Sequence, residues 1–355
     1  MSCISIFLDE VGFFSHLAKW TLSKVKKSQL VLFITLYVFV SVLTMFTSND
    51  IIILTLTPFI LFFCKNAKIS PIPYLVSEFI AANTWSMIFI IGNPTNIYLA
   101  SSFGIDFVEY FKVMFVPTLL TGIFEFLILF LLFRNKLKDP IIPQEISLEK
   151  QNIPLTVIGL IILGICTIFL VISGYFDIPM YLISAISFGV LVVVSLAYYL
   201  IKKEAPKELG KTIIRAPWKI VPFVIGMFIL VLALEKYGVT ESISSFFGVK
   251  GTTFVYGFSS ALFANLINNI PMSVFYSSIC SFADKSIALK AIYSSVIGSN
   301  IGAFLSPFGA LAGIMWVSIL KDYDVKFSYL DFVKYGSIVG IPALAVSLSS
   351  LLLFL

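Results

Sequence analysis

Twice in this chain, once in each half, a polar tip is followed by a stretch broken by Pro, Gly or Asn, all within sequence apolar enough to sit in a membrane. In the first half Ser48-Asn49-Asp50 separates apolar residues 29–47 from 51–64, and Gly92-Asn93-Pro94-Thr95-Asn96 interrupts the apolar run 71–103. In the second, Asn268-Asn269-Ile270-Pro271 separates 251–266 from 272–283, and Gly298-Ser299-Asn300-Ile301-Gly302 lies within the run 286–320. An unpaired backbone N–H or C=O in hydrocarbon costs several kcal/mol, so a broken helix survives only where protein or a water-filled cavity surrounds it. Breaks in corresponding positions of two halves point to a binding site at their interface. The pattern predicts an all-α polytopic membrane protein of two inverted repeats, each with a re-entrant hairpin and a broken helix.

Composition agrees: 59% of the residues are hydrophobic and 12% charged, with 36 Phe, and the mean hydropathy is +1.02. A crossing needs about 20 apolar residues. Segments near 1–18, 107–133, 153–173, 178–201, 219–237 and 327–355 read as plain crossings. The polar stretches 134–152 and 202–218 are too short to bury a core of their own. The chain therefore divides into a first repeat, 1–133, shortened at its N-terminus, a cytoplasmic linker, 134–152, and a second repeat, 153–355. The net charge of +5 is scattered over short loops, without the clustered basic face of a nucleic-acid binder. With both tips treated as re-entrant, 19 of the 24 Lys and Arg fall on one side, which is then cytoplasmic; full crossings at both tips give the same sides. Cys3, Cys64, Cys166 and Cys280 have no C-x-x-C spacing and read as core thiols, and with no signal peptide the first helix acts as the membrane signal.

At the tips, Asn49, Asp50, Asn268 and Asn269 would bring amides and one carboxylate toward the bilayer midplane, where polar groups are costly and usually functional. In the breaks, glycine permits unusual backbone angles and Pro94 removes a donor, so freed carbonyls can hold a cation while half-helix N-termini face an anion or polar oxygen. Asp50 is the one carboxylate in the four breaks and is expected either to carry the coupling ion or to cap the second hairpin arm. Asp9 and Glu10 read as lying near a helix end, Glu78 and Glu125 as relay groups or, the preferred reading, interhelical hydrogen-bonding groups, and His16 has no role. Trp20, Trp85, Trp218 and Trp316 are expected at the interfaces, and Arg215-Ala216-Pro217-Trp218 as a helix start. No phosphate loop, H-E-x-x-H or G-x-S-x-G motif occurs, so neither an enzyme nor a cofactor or metal site is expected.

The stretches LDEVGFF at 8–14, SNDIIILTLTPFI at 48–60, IGNPTNI at 91–97, RAPWKIVPFVIGMFILV at 215–231, NNIPMS at 268–273 and VIGSNIGAFLSPFGALAGIMW at 296–316 resemble the arsenical pump membrane protein family. That family lies within the ion transporter superfamily, which includes citrate, dicarboxylate and sodium/proton transporters. The resemblance implies a midplane site carried by Asn49, Asp50, Asn93, Thr95, Asn96, Asn268, Asn269, Ser299 and Asn300. It implies proton-coupled efflux of arsenite, antimonite or a similar small oxyanion from the cell, with a sodium- or proton-coupled citrate or dicarboxylate transporter as the alternative. A homodimer and a separate ATPase subunit are partners of the same kind of expectation. LDEVGFF follows two earlier helices in family members but begins at residue 8 here, so a short form without transport is a further alternative. Gly298-Ser299-Asn300 stands where arsenite pumps typically carry a Gly-Cys-Asp-like run.

Overall fold

The computed structural model describes residues 2–14, 16, 28–141, 151–172, 176, 178–216, 218 and 220–355. Among these, every regular element is helical. In chain order they are α1 (Ser2–Glu10), α2 (Gln29–Phe46), α3 (Asn49–Ala67), α4 (Ile72–Trp85), a single 3-10 turn (Ile90–Gly92), α5 (Pro94–Ser101) and α6 (Phe107–Phe133). There follow α7 (Ile153–Ile172), α8 (Met180–Lys202), α9 (Lys207–Arg215), α10 (Ile220–Lys236), α11 (Val239–Phe247) and α12 (Thr252–Ile267). The last four are α13 (Asn269–Ser281), α14 (Ala288–Gly302), α15 (Leu311–Asp322) and α16 (Tyr329–Leu351). Of the described helices α2, α3, α6, α7, α8 and α16 are long and apolar enough to cross a membrane, and the chain is a multi-pass membrane protein.

Helix starts fall where polar side chains satisfy the free N–H groups of a first turn. Asp106 accepts from Glu109 N at 2.7 Å to open α6, and Asn93 accepts from Thr95 N at 3.1 Å to open α5, with Pro94 in the first turn. Ser328 and Asp331 form a reciprocal capping box at α16. Two helices end alike: Gly12 (φ +85°) donates to Asp9 O at 2.8 Å, and Gly238 (φ +70°) to Glu235 O at 2.9 Å, each three residues after an acid.

The packing pairs α2 with α4 and α12 with α14, α3 with α4 and α13 with α14, and α4 with α6 and α14 with α16. Between the halves α6 meets α16, while α3 meets α15 and α13 meets α5. Lipid tails offer no hydrophobic drive between helices, so close approach depends on small residues. Gly298 and Gly302 of α14 lie against Gly257, Ser260 and Ala261 of α12, where a Cβ on Gly302 would stand 2.8 Å from Ala261 Cα.

Three expectations are corrected. The segment near 1–18 is not one unbroken crossing, because α1 stops at Glu10 and the chain turns at Gly12. The stretch Gly298–Gly302 is helical, and the interruption lies beyond it at 303–310, around Ser306-Pro307-Phe308-Gly309. These two glycines serve close packing rather than unusual backbone angles, and Pro307, which has no N–H to give, falls in the interruption. Trp316 is 1% exposed within a cluster of Phe79, Phe327 and Phe332, and Trp85 is bonded inside the bundle to Tyr37; neither sits as an interfacial ring. Trp218 is 60% exposed, and α10 begins at Ile220. Trp20, Pro217 and residues 142–150 of the linker lie outside the described residues.

Candidate substrate and ion site

The α4 break exists because residues 86–93 give their polar groups to one another and to α14. Ser86 Oγ donates to Asn83 O at 2.7 Å, and Asn96 Nδ2 donates to Ser86 O at 2.9 Å, tying the first residue after α4 to the first turn of α5. A Cβ at Gly92 would overlap the Ser86 carbonyl, so only glycine lets the loop close on itself here.

Asn300 joins the halves. Its Nδ2 donates to Asn96 Oδ1 at 2.7 Å and to Val296 O at 2.8 Å. Its Oδ1 accepts from Asn93 Nδ2 at 2.8 Å, and Ser86 Oγ, whose one proton goes to Asn83 O, lies 3.2 Å from it. A carboxamide offers two donors and two acceptor sites, of which both donors and one acceptor site of Asn300 are filled. Asn300 and Asn96 are both 0% exposed, and Asn93 is 2% exposed.

Each tip is fastened to its own half. Asn49 Nδ2 donates to Asn83 Oδ1 at 2.9 Å, and Asn83 in turn donates to Phe79 O at 2.8 Å. Asn268 holds φ +73°, accepts from Ile270 N at 3.3 Å and donates to Phe308 O at 3.2 Å, while Asn269 N donates to Gly309 O at 3.0 Å. No hydrogen bond joins the Asn49 tip to the Asn268 tip among the described residues, and the polar link between the halves runs through Asn93, Asn96 and Asn300. Asp50 is half-buried in the first turn of α3, and no side-chain hydrogen bond caps that helix, which removes the capping alternative.

Three polar atoms of this region are buried with nothing to bond: Asn49 Oδ1, Thr95 Oγ1 and Ser299 Oγ. Buried polar atoms are almost always paired, so such orphans mark places where a polar solute, ion or water is wanted. Ser86 and Asn83 were missed at the sequence level, although the polar letters of Asn83-Thr84-Trp85-Ser86 directly precede the first break. Asn265 was missed too. It donates to Ala261 O and Gly302 O at 2.8 Å each and accepts from Ser306 Oγ at 2.6 Å, holding the second interruption against α12.

Of the acids outside the breaks, Glu78 accepts from Thr57 Oγ1 at 3.0 and 3.1 Å and so bonds α4 to α3. Asp9 and Glu10 end α1 and meet Arg215, which lies 2.9 Å from Asp9 Oδ2 and also bonds Glu10, while Lys211 stands 3.7 Å from Glu10. These are the ion pairs of the described residues, and they lie in one cluster away from the asparagine network.

A membrane-embedded helical bundle with interrupted helices around a buried polar centre defines a membrane transporter. The citrate transporter family profile matches residues 1–293, and the chain belongs to this family. It is 29% identical to the arsenical pump membrane protein of Escherichia coli (strain K12), over 99% of this chain and 83% of that protein. It has the same identity and coverage to the arsenical pump membrane protein of Yersinia enterocolitica. A 46 kDa membrane protein of Mycobacterium leprae is 23% identical over 100% of this chain and 84% of its own length.

Proposed function

We propose that the chain is a secondary active transporter that expels arsenite, antimonite or a similar small hydroxylated solute in exchange for protons. Two inverted repeats, 1–133 and 153–355, would move against each other about the asparagine network. The reading is supported by the pairing of equivalent helices in both halves and by the exchange of contacts between them, α3 with α15 and α13 with α5. The observation that carries the cargo class is the character of the centre: amides and hydroxyls, with no cationic side chain bonded to them among the described residues. An arsenite molecule is an undissociated trihydroxide near neutral pH and needs donors and acceptors together, which Asn49, Thr95 and Ser299 offer. A tricarboxylate would leave several charges without a counter-charge, at a cost of several kcal/mol each in a dry site.

Accumulation of arsenite in cells lacking their own efflux system, with and without the chain at matched expression, tests this. Lower accumulation that an uncoupler abolishes is the expected result. Unchanged arsenite together with gradient-driven citrate uptake would overturn it in favour of the carboxylate reading, which the family profile also favours.

A further inference from the structure

Glu125 is a buried carboxyl with no charged partner among the described residues. It lies on α6, is 0% exposed, and has the Thr84 hydroxyl set against it, with no well-formed hydrogen bond at either group. Tyr37 of α2 faces it as well, but that hydroxyl is committed: it donates to Gly122 O at 2.6 Å and accepts from Trp85 Nε1 at 3.2 Å. Of the other elements packed on α6, α4 carries Glu78, which is bonded to Thr57, α16 carries Asp331 and Lys334 before Tyr335 and no Asp, Glu, Lys, Arg or His beyond it, and α7 has none; all the described ion pairs are at Asp9 and Glu10.

A carboxylate in such a place has neither solvent nor counter-charge, and burying it so costs several kcal/mol. A carboxylic acid there can still bond Thr84. Thr84 in turn lies between the two residues that tie α4 to the site: Asn83, bonded to the Asn49 tip, and Ser86, whose carbonyl accepts from Asn96 Nδ2. Any rearrangement of the break that turns Thr84 away or admits water therefore changes what Glu125 can hold.

We propose that Glu125 is the proton-carrying residue of this transporter, loaded in the closed arrangement described here and unloaded when the α4 break opens. The step is an acid–base exchange. The carboxyl O–H bond breaks, its proton passes to water on the side then open, and the carboxylate takes a proton from water on the opposite side after the break has moved. Asp50, half-buried at a tip, is then a cargo-side group rather than the proton carrier. This rests on the proton-coupled reading above.

Two measurements on purified full-length chain separate the two ideas. The first needs no cargo: infrared difference spectra record the carbonyl stretch of protonated buried carboxyls, and Glu125→Gln is expected to remove one component that Asp50→Asn leaves. An unchanged spectrum in Glu125→Gln overturns the proposal even if transport is intact. The second uses proteoliposomes with an internal pH dye and arsenite. Glu125→Gln is expected to keep arsenite counterflow within about twofold of wild type while losing pH-gradient-driven accumulation and arsenite-induced proton flux by about tenfold, roughly 1.4 kcal/mol of coupling. Accumulation within about twofold of wild type in Glu125→Gln, with its loss in Asp50→Asn, overturns the proposal and gives the role to Asp50. Wild-type chain that moves no arsenite sinks the transport reading, and the infrared result then decides whether Glu125 holds a proton. Glu125→Asp, which keeps the acid on a shorter stem, is expected to restore part of the proton flux.

Discussion

Replacing Gly302 by alanine is expected to unseat α14 from α12 and to disable the site with it. A Cβ on Gly302 would stand 2.8 Å from Ala261 Cα, 2.9 Å from its carbonyl oxygen and 3.2 Å from its carbonyl carbon. All three are backbone atoms and cannot swing aside. Carbon atoms pack best at about 3.5–4.0 Å, so the helices must part by about 0.7 Å or more. Overpacking of this kind costs about 1–3 kcal/mol, and here Gly302 O also accepts the Asn265 Nδ2 bond, which lengthens with the shift. Asn300 lies two residues back on the same helix, so its 2.7 Å and 2.8 Å bonds to Asn96 and Asn93 lengthen with it. Gly298→Ala should be harsher, because its Cβ would overlap the Gly257 carbonyl and Ser260 Oγ. Gly189→Ala is the control: nothing lies within 4 Å of its added Cβ, and alanine in a helix interior gains about 0.5–1 kcal/mol. Thermal unfolding of the three purified variants in one detergent reads the difference, with arsenite counterflow as the second readout. Equal midpoints for Gly302→Ala and Gly189→Ala would refute the small-residue account of the α12–α14 contact.

Other substitutions probe single links. Asn300→Ala removes the bonds to Asn93, Asn96 and Val296 and strands Asn93 and Asn96, so it should cost about 1–3 kcal/mol and abolish arsenite counterflow; a variant with normal counterflow would remove the asparagine network from the site. Thr57→Val leaves Glu78 without its donor and should lower the melting midpoint by the equivalent of about 1–3 kcal/mol, with Thr57→Ser rescuing it. Arg215→Ala should cost only about 1 kcal/mol, because the arginine side chain is 42% exposed; a loss reaching that of Asn300→Ala would mean that the cluster with Asp9 and Glu10 acts as more than a surface pair. In the loop before α14, the Ser286 hydroxyl and N–H both donate to Asp284, holding its carboxyl below the usual range. Since the folded value is the depressed one, its contribution is present above the ordinary carboxylate range and fades as pH falls through the folded value. Ser286 amide exchange should therefore quicken only in acid, beyond the ordinary pH dependence of exchange, and Asp284→Asn should flatten that excess.

The sequence revealed the first break better than the second, for a physical reason. Asn93-Pro94 is both an interruption and a helix start, because the asparagine caps and the proline lacks the N–H a first turn does not need. Gly298-Ser299-Asn300 has the same letters in a different role: its glycines are spaced by four, which on a helix makes one flat stripe, and α12 presents Gly257 and Ala261, also spaced by four, to meet it. Composition cannot distinguish a glycine that bends a chain from one that lets two helices touch, since both require only the missing Cβ. The true interruption, Ser306-Pro307-Phe308-Gly309, stood within the resembling stretch but held no amide or acid to attract notice. Asn300 was legible as a polar residue in apolar sequence, yet its partners Asn93, Asn96 and Ser86 lie more than 200 residues away, and no periodicity carries information over that distance.

The same limit explains Glu125. On a one-dimensional reading it is one acid in a long apolar helix, indistinguishable from Glu78, which is bonded across to α3. What separates them is the neighbour that packing supplies: Thr57 donates to Glu78 in well-formed bonds, whereas Glu125 has only the Thr84 hydroxyl set against it, and Tyr37 gives its proton to Gly122 O. A fold that needed only interhelical glue at this position could release Tyr37 or replace the acid with leucine. A buried carboxyl with no counter-charge, set against Thr84 between Asn83 and Ser86, makes sense if its proton must come and go with the movement of the break.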